Sequence, residues 1–86
     1  MNDDVFNFPC DYPIKIIGKD LPNFESTVRN IIELHVGKLH NNQVTSSASS
    51  KGAYISLTVR IIASSRSQLD AINKSLQNCP MVAYLL

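Results

Sequence analysis

The sequence predicts an α+β domain in which two helices cover one face of a four-stranded antiparallel sheet. Residues 52–61 alternate apolar and polar side chains, as a half-buried strand does. Two other segments repeat apolar residues at helical spacing, and the segments between them carry strand or turn signals. The resulting order is strand, helix, strand, strand, helix, strand, and right-handed crossovers then give the strand order 4-1-3-2.

The strand at 52–61 is third in sequence and is predicted to lie in the centre of the sheet. Strand side chains alternate between the two faces, so one face of this strand is aliphatic and the other is mostly polar. The inward positions are Ile55, Leu57, Val59 and Ile61. The outward positions are Tyr54, Ser56, Thr58 and Arg60.

Residues 1–11 mix acidic residues, asparagine and proline, which predicts a flexible N-terminal segment before a single domain at 12–86. Phe6 and Phe8 are the residues of that segment that could fold back onto the domain.

The first strand is predicted at Tyr12–Gly18, with Pro13 near its beginning, where a missing backbone donor does least harm. The alternation places Ile14 and Ile16 inward and leaves Lys15 and Ile17 on the uncovered face.

The first helix is predicted to open at Leu21–Phe24, with Pro22 at the first helical position, where its fixed φ is already helical. Gly37 is a natural stop for this helix. Its apolar stripe consists of Phe24, Val28, Ile31, Ile32 and His35.

The segment 42–50 has the composition of a weak edge strand or of a loop about equally. The turn signal at 49–52 favours a strand, because it makes that segment the hairpin partner of the next one. The second helix opens with the capping-box pattern of Ser65–Gln68 and ends before Pro80, and residues 81–86 suit a final strand. Its stripe is Leu69, Ile72, Leu76 and Cys79.

The composition favours a soluble globular protein and no strongly charged partner. The chain has 86 residues, 44% hydrophobic and 17% charged, with a formal charge of +1. That charge supplies little attraction to nucleic acid or to an acidic membrane. The acidic start of the sequence and the wide separation of Cys10 and Cys79 predict a cytoplasmic protein with reduced thiols. Cys10 is predicted to lie in a loop and Cys79 to be buried.

RNA binding of the recognition-motif type is disfavoured. Residues 51–58 begin like that motif's signature, but its base-stacking rings would stand at Ala53, Ile55 and Thr58. None of these is aromatic, and Ile55 is on the predicted core side.

Catalytic and metal sites find little support in the sequence. His35 lies on the first helix's apolar stripe, where core packing with one satisfied nitrogen is preferred over a catalytic or ligand role. His40 follows in a loop, and no cysteine or carboxylate stands at metal-ligand spacing. We therefore expect no enzyme activity, no metal and no cofactor.

Two places remain as candidate binding sites. The connection formed by Gly18, Lys19, Asp20 and Leu21 could bind a ligand, because glycine permits close approach and helix starts favour anions. An ordinary connecting turn is the preferred alternative there.

The second candidate is the uncovered sheet face. Its outward residues Lys15, Tyr54, Ser56 and Arg60 could contact a partner, or they could simply keep the face soluble.

Several short patterns, in their order and spacing, resemble the YbeD-like family of small bacterial proteins. They are Phe8-Pro9, Lys15-x-x-Gly18, Leu21-Pro22, Val28-x-x-Ile31-Ile32-x-x-His35, Ser49-Ser50-Lys51-Gly52-x-Tyr54-x-Ser56 and Val82-x-x-x-Leu86. The resemblance implies a ferredoxin-like fold close to ACT-type regulatory domains. Those domains bind small ligands such as amino acids near the first strand-to-helix loop, often across a dimer. By similarity, that loop is residues 18–22 here.

The expectation is therefore a non-enzymatic regulatory or small-ligand-sensing module. The alternative is a protein-protein interaction adaptor that uses the open sheet face or an edge strand. The partner would be an unknown small molecule or protein, with no nucleic acid and no membrane, and the chain would be a monomer or a weak homodimer.

Overall fold

The computed structural model describes residues 8–48 and 52–86. Its elements follow the predicted order, with a short 3-10 turn before the second strand. They are β1 (Cys10–Lys19), α1 (Phe24–Val36), the 3-10 turn (Asn41–Gln43), β2 (Val44–Ala48), β3 (Tyr54–Ala63), α2 (Arg66–Gln77) and β4 (Val82–Leu85). The predicted β-α-β-β-α-β arrangement is confirmed.

The four strands form one antiparallel sheet in the order β2-β3-β1-β4, which is the predicted order 4-1-3-2 counted from the other edge. β1 and β3 are ten residues long each and pair along their whole length, from Cys10 opposite Ala63 to Lys19 opposite Tyr54. The edge strands β2 and β4 have only five and four residues. The long central pair therefore carries most of the sheet's side chains on both faces.

One face of the sheet is buried under both helices. Alternation in β1 and β3 directs aliphatic side chains to this face, and the apolar stripes of α1 and α2 close over them. The buried core consists of Ile14, Ile16, Phe24, Val28, Ile32, Leu39, Leu57, Val59, Ile61, Ala63, Leu69, Ile72 and Leu76. Burial of this apolar surface is the main source of the domain's stability. The ferredoxin-like α+β fold is confirmed.

The start of α1 differs from the prediction for Pro22. The helix begins at Phe24 with Asn23 as its N-cap, so Pro22 lies in the preceding turn and not at the first helical position. The Phe24 amide donates to the Leu21 carbonyl at 3.1 Å, which closes a four-residue turn. Proline favours the second position of such a turn, because its fixed φ matches the geometry required there.

β1 starts two residues earlier than the sequence pattern indicated. Cys10 was expected in a loop, but it is the first residue of β1 and is half-buried, since β3 runs on to Ala63 and pairs with it. Phe8 is also half-buried and packs against the core. Phe6 lies outside the described residues.

The hairpin between β2 and β3 is only partly described. Residues 49–51 of the expected turn lie outside the described ranges, whereas Gly52 has a φ of 72°. Positive φ suits glycine and strains other residues, which accounts for the glycine at this position. The strand predicted within 42–50 is present as β2.

The end of α1 is tied to the loop that follows it. Gly37 ends the helix with a φ of 83°, as expected of a glycine stop. Leu39 is buried although it lies in the loop, and its amide donates to the Glu33 carboxylate at 2.8 Å. Its carbonyl accepts a hydrogen bond from Arg29 at 3.3 Å. Two side chains of α1 therefore hold both backbone polar groups of this loop residue.

The start of α2 has a side-chain cap, with one difference from the expected pattern. The Ser65 hydroxyl accepts a hydrogen bond from the Gln68 amide at 3.1 Å. The side-chain Oε1 atom of Gln68 accepts from the Ser64 backbone amide at 2.8 Å, and not from the Ser65 amide as in the standard capping box. The Gln68 side-chain amide donates to the backbone carbonyl of His35 at 3.0 Å. One glutamine thus connects the end of α1 to the start of α2.

Replacing Ser65 by alanine is expected to lower the free energy of unfolding by about 1 kcal/mol, because the Gln68 amide loses its acceptor. Denaturant unfolding followed by circular dichroism measures the change. Asn23 is the matched control, since it caps α1 without a side-chain hydrogen bond. Equal losses for Ser65→Ala and Asn23→Ala would contradict the importance of the Ser65 cap.

Candidate functional site

The face of the sheet away from the helices is uncovered, and we refer to its outward side chains as the open sheet face. Strand alternation and the pairing register assign its members. They are Asp11, Pro13, Lys15, Ile17 and Lys19 of β1, Thr45 and Ser47 of β2, Tyr54, Ser56, Thr58, Arg60 and Ile62 of β3, and Tyr84 of β4.

A shallow depression of about 290 Å³ lies on this face, where β1, β2 and β3 run side by side. Side chains from all three strands line it, among them Lys15, Ile17, Ser47, Tyr54 and Ser56. Three of the four sheet-face residues singled out from the sequence, Lys15, Tyr54 and Ser56, are therefore brought together. The depression combines one cation, one tyrosine ring with its hydroxyl, two serine hydroxyls and aliphatic side chains.

The fourth residue, Arg60, lies apart from the depression. Its guanidinium is 3.7 Å from the carboxylate of Asp11, and both side chains are about 60% exposed. An ion pair this exposed contributes little to stability. By contrast, Lys15 and Lys19 have no carboxylate within 4 Å among the residues that the structure describes. The unbalanced positive charge of this face thus comes from two lysines on β1.

Across the middle of the face, the pairing register places two serines next to an isoleucine and a tyrosine. Ser47 pairs with Ser56, Ser56 pairs with Ile17, and Ile17 pairs with Tyr84. Tyr84 is 63% exposed and Tyr54 is 42% exposed. Exposed rings beside aliphatic and hydroxyl groups can bind a partner by apolar contact and hydrogen bonds.

Sequence reasoning missed Tyr84 as a member of this face. Gly18 of β1 pairs with Val82, and the adjacent Ile17 pairs with Tyr84, so β4 contains one extra residue at Ala83. This β-bulge breaks the simple alternation of β4. Counting inward and outward positions along the sequence therefore gives the wrong face for Tyr84. The only sequence signal for its place on the open sheet face was that it is an aromatic residue in the terminal strand.

In the predicted ligand loop, residues 18–21, the glycine is needed for packing inside the protein. Gly18 is buried, and a β-carbon at this position would collide with the Phe24 ring and with the Met81 carbonyl. Glycine is therefore required by packing inside the protein. Lys19, Asp20 and Leu21 are exposed.

The amides of this loop have partners within the protein. The Asp20 amide donates to the Ala53 carbonyl at 3.3 Å, and the Leu21 amide donates to the Lys19 carbonyl at 2.8 Å. These two amides are thus engaged and do not present the open donors that attract an anion to a helix start.

His35 lies between the two helices and is half-buried. Its Nε2 atom is 3.1 Å from the Ser75 hydroxyl, so one ring nitrogen has a partner, as packing requires. His40 is exposed in the loop after α1. Within residues 8–48 and 52–86, no group of three histidine, cysteine, aspartate or glutamate residues could hold a metal ion.

Cys79 is buried, as expected for a small apolar side chain, and both Cys10 and Cys79 are free thiols.

In the described part of the chain, neither helix has the length and apolar character needed to cross a membrane.

Comparison with known proteins places the chain among bacterial relatives of similar length. It is 53% identical over 85 residues to a UPF0250 protein of Ruthia magnifica, covering 99% of this chain and 92% of the relative. It is 41% identical over 86 residues to a UPF0250 protein of Paraburkholderia phytofirmans, covering 100% and 97%. A UPF0250 protein of Nitrosomonas europaea is 38% identical over 84 residues, covering 98% and 97%. No solved structure is significantly similar to the chain.

The family model described as protein of unknown function DUF493 matches residues 3–86, nearly the whole sequence. The resemblance found in the sequence patterns is confirmed by this match and by the relatives. The chain therefore belongs to the DUF493 family, the YbeD-like proteins whose curated bacterial members are named UPF0250.

Proposed function

We propose that this chain is a non-enzymatic binding module and that the open sheet face is its binding surface. The observation that carries the proposal is the convergence of Lys15, Tyr54 and Ser56 on one depression. Lys15 comes from β1, whereas Tyr54 and Ser56 come from β3, far along the sequence, and the fold brings them together beside exposed apolar groups.

The composition of the face supports a protein partner. Tyrosine is enriched in the buried centres of protein interfaces, where a polar rim surrounds it. Here Tyr84 pairs with the half-buried Ile17, Tyr54 pairs with Lys19 two positions along the same strand, and serine and threonine hydroxyls border them. This is the adaptor function, with the sheet face and not an edge strand as the contact surface.

A small-ligand sensor is the second candidate, and the depression favours it over the Gly18–Leu21 loop. Its volume of about 290 Å³ is close to the smallest sites that hold metabolites. Lys15 and the two serines could bind a carboxylate there.

Photo-cross-linking in the native host cell tests the proposal. A benzophenone amino acid replaces Tyr84, which is exposed beside Ile17, and the matched control carries it at Leu34, which is 84% exposed on α1. We expect a discrete protein adduct from position 84 and none from position 34. Mass spectrometry of the adduct separates a protein partner from a small ligand.

Adducts from Leu34 alone, or from neither position, would show that the open sheet face is not the binding surface. An adduct of only a few hundred daltons at position 84 would favour the sensor over the adaptor.

A further inference from the structure

The outward row of β1 alternates charge and apolar surface. Lys15, Ile17 and Lys19 occupy successive outward positions, and strand geometry separates neighbours in such a row by about 6.6 Å. Neither lysine has a carboxylate within 4 Å among the described residues. The row therefore offers two cations, roughly 13 Å apart, with an aliphatic side chain between them.

The position of this row determines what kind of backbone can cover it. β1 lies between β3 and β4, and β3 lies between β1 and β2, so neighbouring strands use the hydrogen-bonding groups at the centre of the sheet. Over residues 16–18, β1 is paired on both sides, with β3 and with β4, so an extended segment cannot pair with β1 there. An α-helix satisfies its own backbone hydrogen bonds and can therefore lie across this face without pairing with the sheet.

A helix laid along β1 matches the spacing of the row. Residues i, i+4 and i+8 of a helix share one face and lie about 6 and 12 Å apart along its axis. A carboxylate at i, an aliphatic residue at i+4 and a carboxylate at i+8 would meet Lys15, Ile17 and Lys19 in either direction. Tyr54 pairs with Lys19 and Tyr84 pairs with Ile17, so rings stand on both sides of the helix path.

The next inference rests on the proposed function. We propose that the open sheet face binds an amphipathic helix of a partner protein. On that helix, two carboxylates flank an aliphatic residue at four-residue spacing. The charge of the row complements these carboxylates, and the helix buries Ile17 and the neighbouring tyrosine rings.

The chain's own helices do not have this pattern, which argues against a second copy as the occupant. Glu25 and Glu33 of α1 stand at the required spacing, but the residue between them is the cation Arg29 and not an aliphatic one, and the Glu33 carboxylate already accepts from the Leu39 amide. One exposed row of α2 is Arg66, Asp70 and Lys74, a carboxylate between two cations, which is the reverse of the required order.

Single-stranded nucleic acid is also disfavoured as the occupant. Its binding relies on several cations along the phosphate backbone in addition to stacked rings. The open sheet face has two lysines without a carboxylate neighbour in the described residues, and the chain has a net charge of only +1.

Fluorescence anisotropy with a labelled synthetic helical peptide tests the inference. The peptide repeats the glutamate, leucine, glutamate pattern at four-residue spacing, and its matched control has lysine in place of each glutamate. We expect the acidic peptide to bind, the lysine peptide to bind far more weakly, and added salt to weaken the acidic complex.

Lys15→Gln and Lys19→Gln are each expected to weaken that binding about two- to fivefold, the range of an exposed ion pair. Lys38→Gln and Lys74→Gln are the matched controls, because both lysines are exposed away from the open sheet face, and they should leave binding unchanged.

Equal binding of both peptides, equal losses in the control variants, or preferential binding of labelled oligouridine would overturn the inference. If the acidic peptide does not bind but position 84 still gives a protein adduct, the helix assignment is wrong and the proposed function stands. Absence of that adduct counts against the proposed function itself.

Discussion

Replacing Gly18 by alanine is expected to lower the free energy of unfolding by about 3 kcal/mol, the upper part of the usual range for overpacking. The added β-carbon would overlap the ring of Phe24 on one side and the carbonyl of Met81 on the other. Phe24 is only 1% exposed, so its ring has no free space to move into. Denaturant unfolding of the purified protein measures the loss.

A double-mutant cycle with Phe24→Leu separates this collision from other effects. Leucine lacks the outer ring atoms that approach the Gly18 position, so alanine should be tolerated better in that background. We expect Gly18→Ala to cost at least about 1 kcal/mol less there than in the wild-type chain. Strictly additive losses would show that the ring does not exclude a side chain at this position.

The second large effect is expected at Ile61, whose substitution by alanine should cost about 3 kcal/mol. Ile61 is 1% exposed in the core, so the shorter side chain leaves a cavity between the sheet and the helices. Ile62 is the adjacent residue of the same type and is 63% exposed on the open sheet face. Ile62→Ala should therefore cost at most about 1 kcal/mol, mainly through strand propensity.

The same unfolding measurement on both isoleucine variants reports which face of β3 is the core. A larger loss from Ile62→Ala than from Ile61→Ala would mean that the helices cover the opposite face. Because the two substitutions remove the same atoms, differences in side-chain chemistry cannot account for the result.

The fold could be predicted because two patterns in the sequence do not depend on distant contacts. The alternation from Tyr54 to Ile61 identifies a strand with one buried face, and the helical stripes identify the layer that covers it. Connection rules then leave few topologies for that order of elements. Local pattern and general chain geometry were sufficient at this level.

Element ends and loop contacts depended on tertiary contacts that no local pattern contains. Cys10 joins β1 because Ala63 lies opposite it, and Pro22 stands in a turn that the Leu21 carbonyl closes. The burial of Leu39 depends on Glu33 and on Arg29, four residues apart on α1. Sequence spacing alone does not show that both side chains reach the same loop residue.

The candidate site was predicted in part for a related reason. Alternation assigned Lys15, Tyr54, Ser56 and Arg60 correctly to one face, but it gave no position along the strands. The register places the depression towards Tyr54, whereas Arg60 pairs with Pro13 near the other end of β1. Membership of the same face was therefore predictable, and proximity was not.

The two helices also determine the electrostatic character of the layer that covers the core. α1 and α2 have 13 and 12 residues and follow antiparallel strands, so they run in opposite directions. Gln68 holds the start of one beside the end of the other. Their macrodipoles are nearly equal and opposite, and they largely cancel. The long-range field that an approaching molecule meets is consequently set by ionised side chains, which surface substitutions can change without altering the fold.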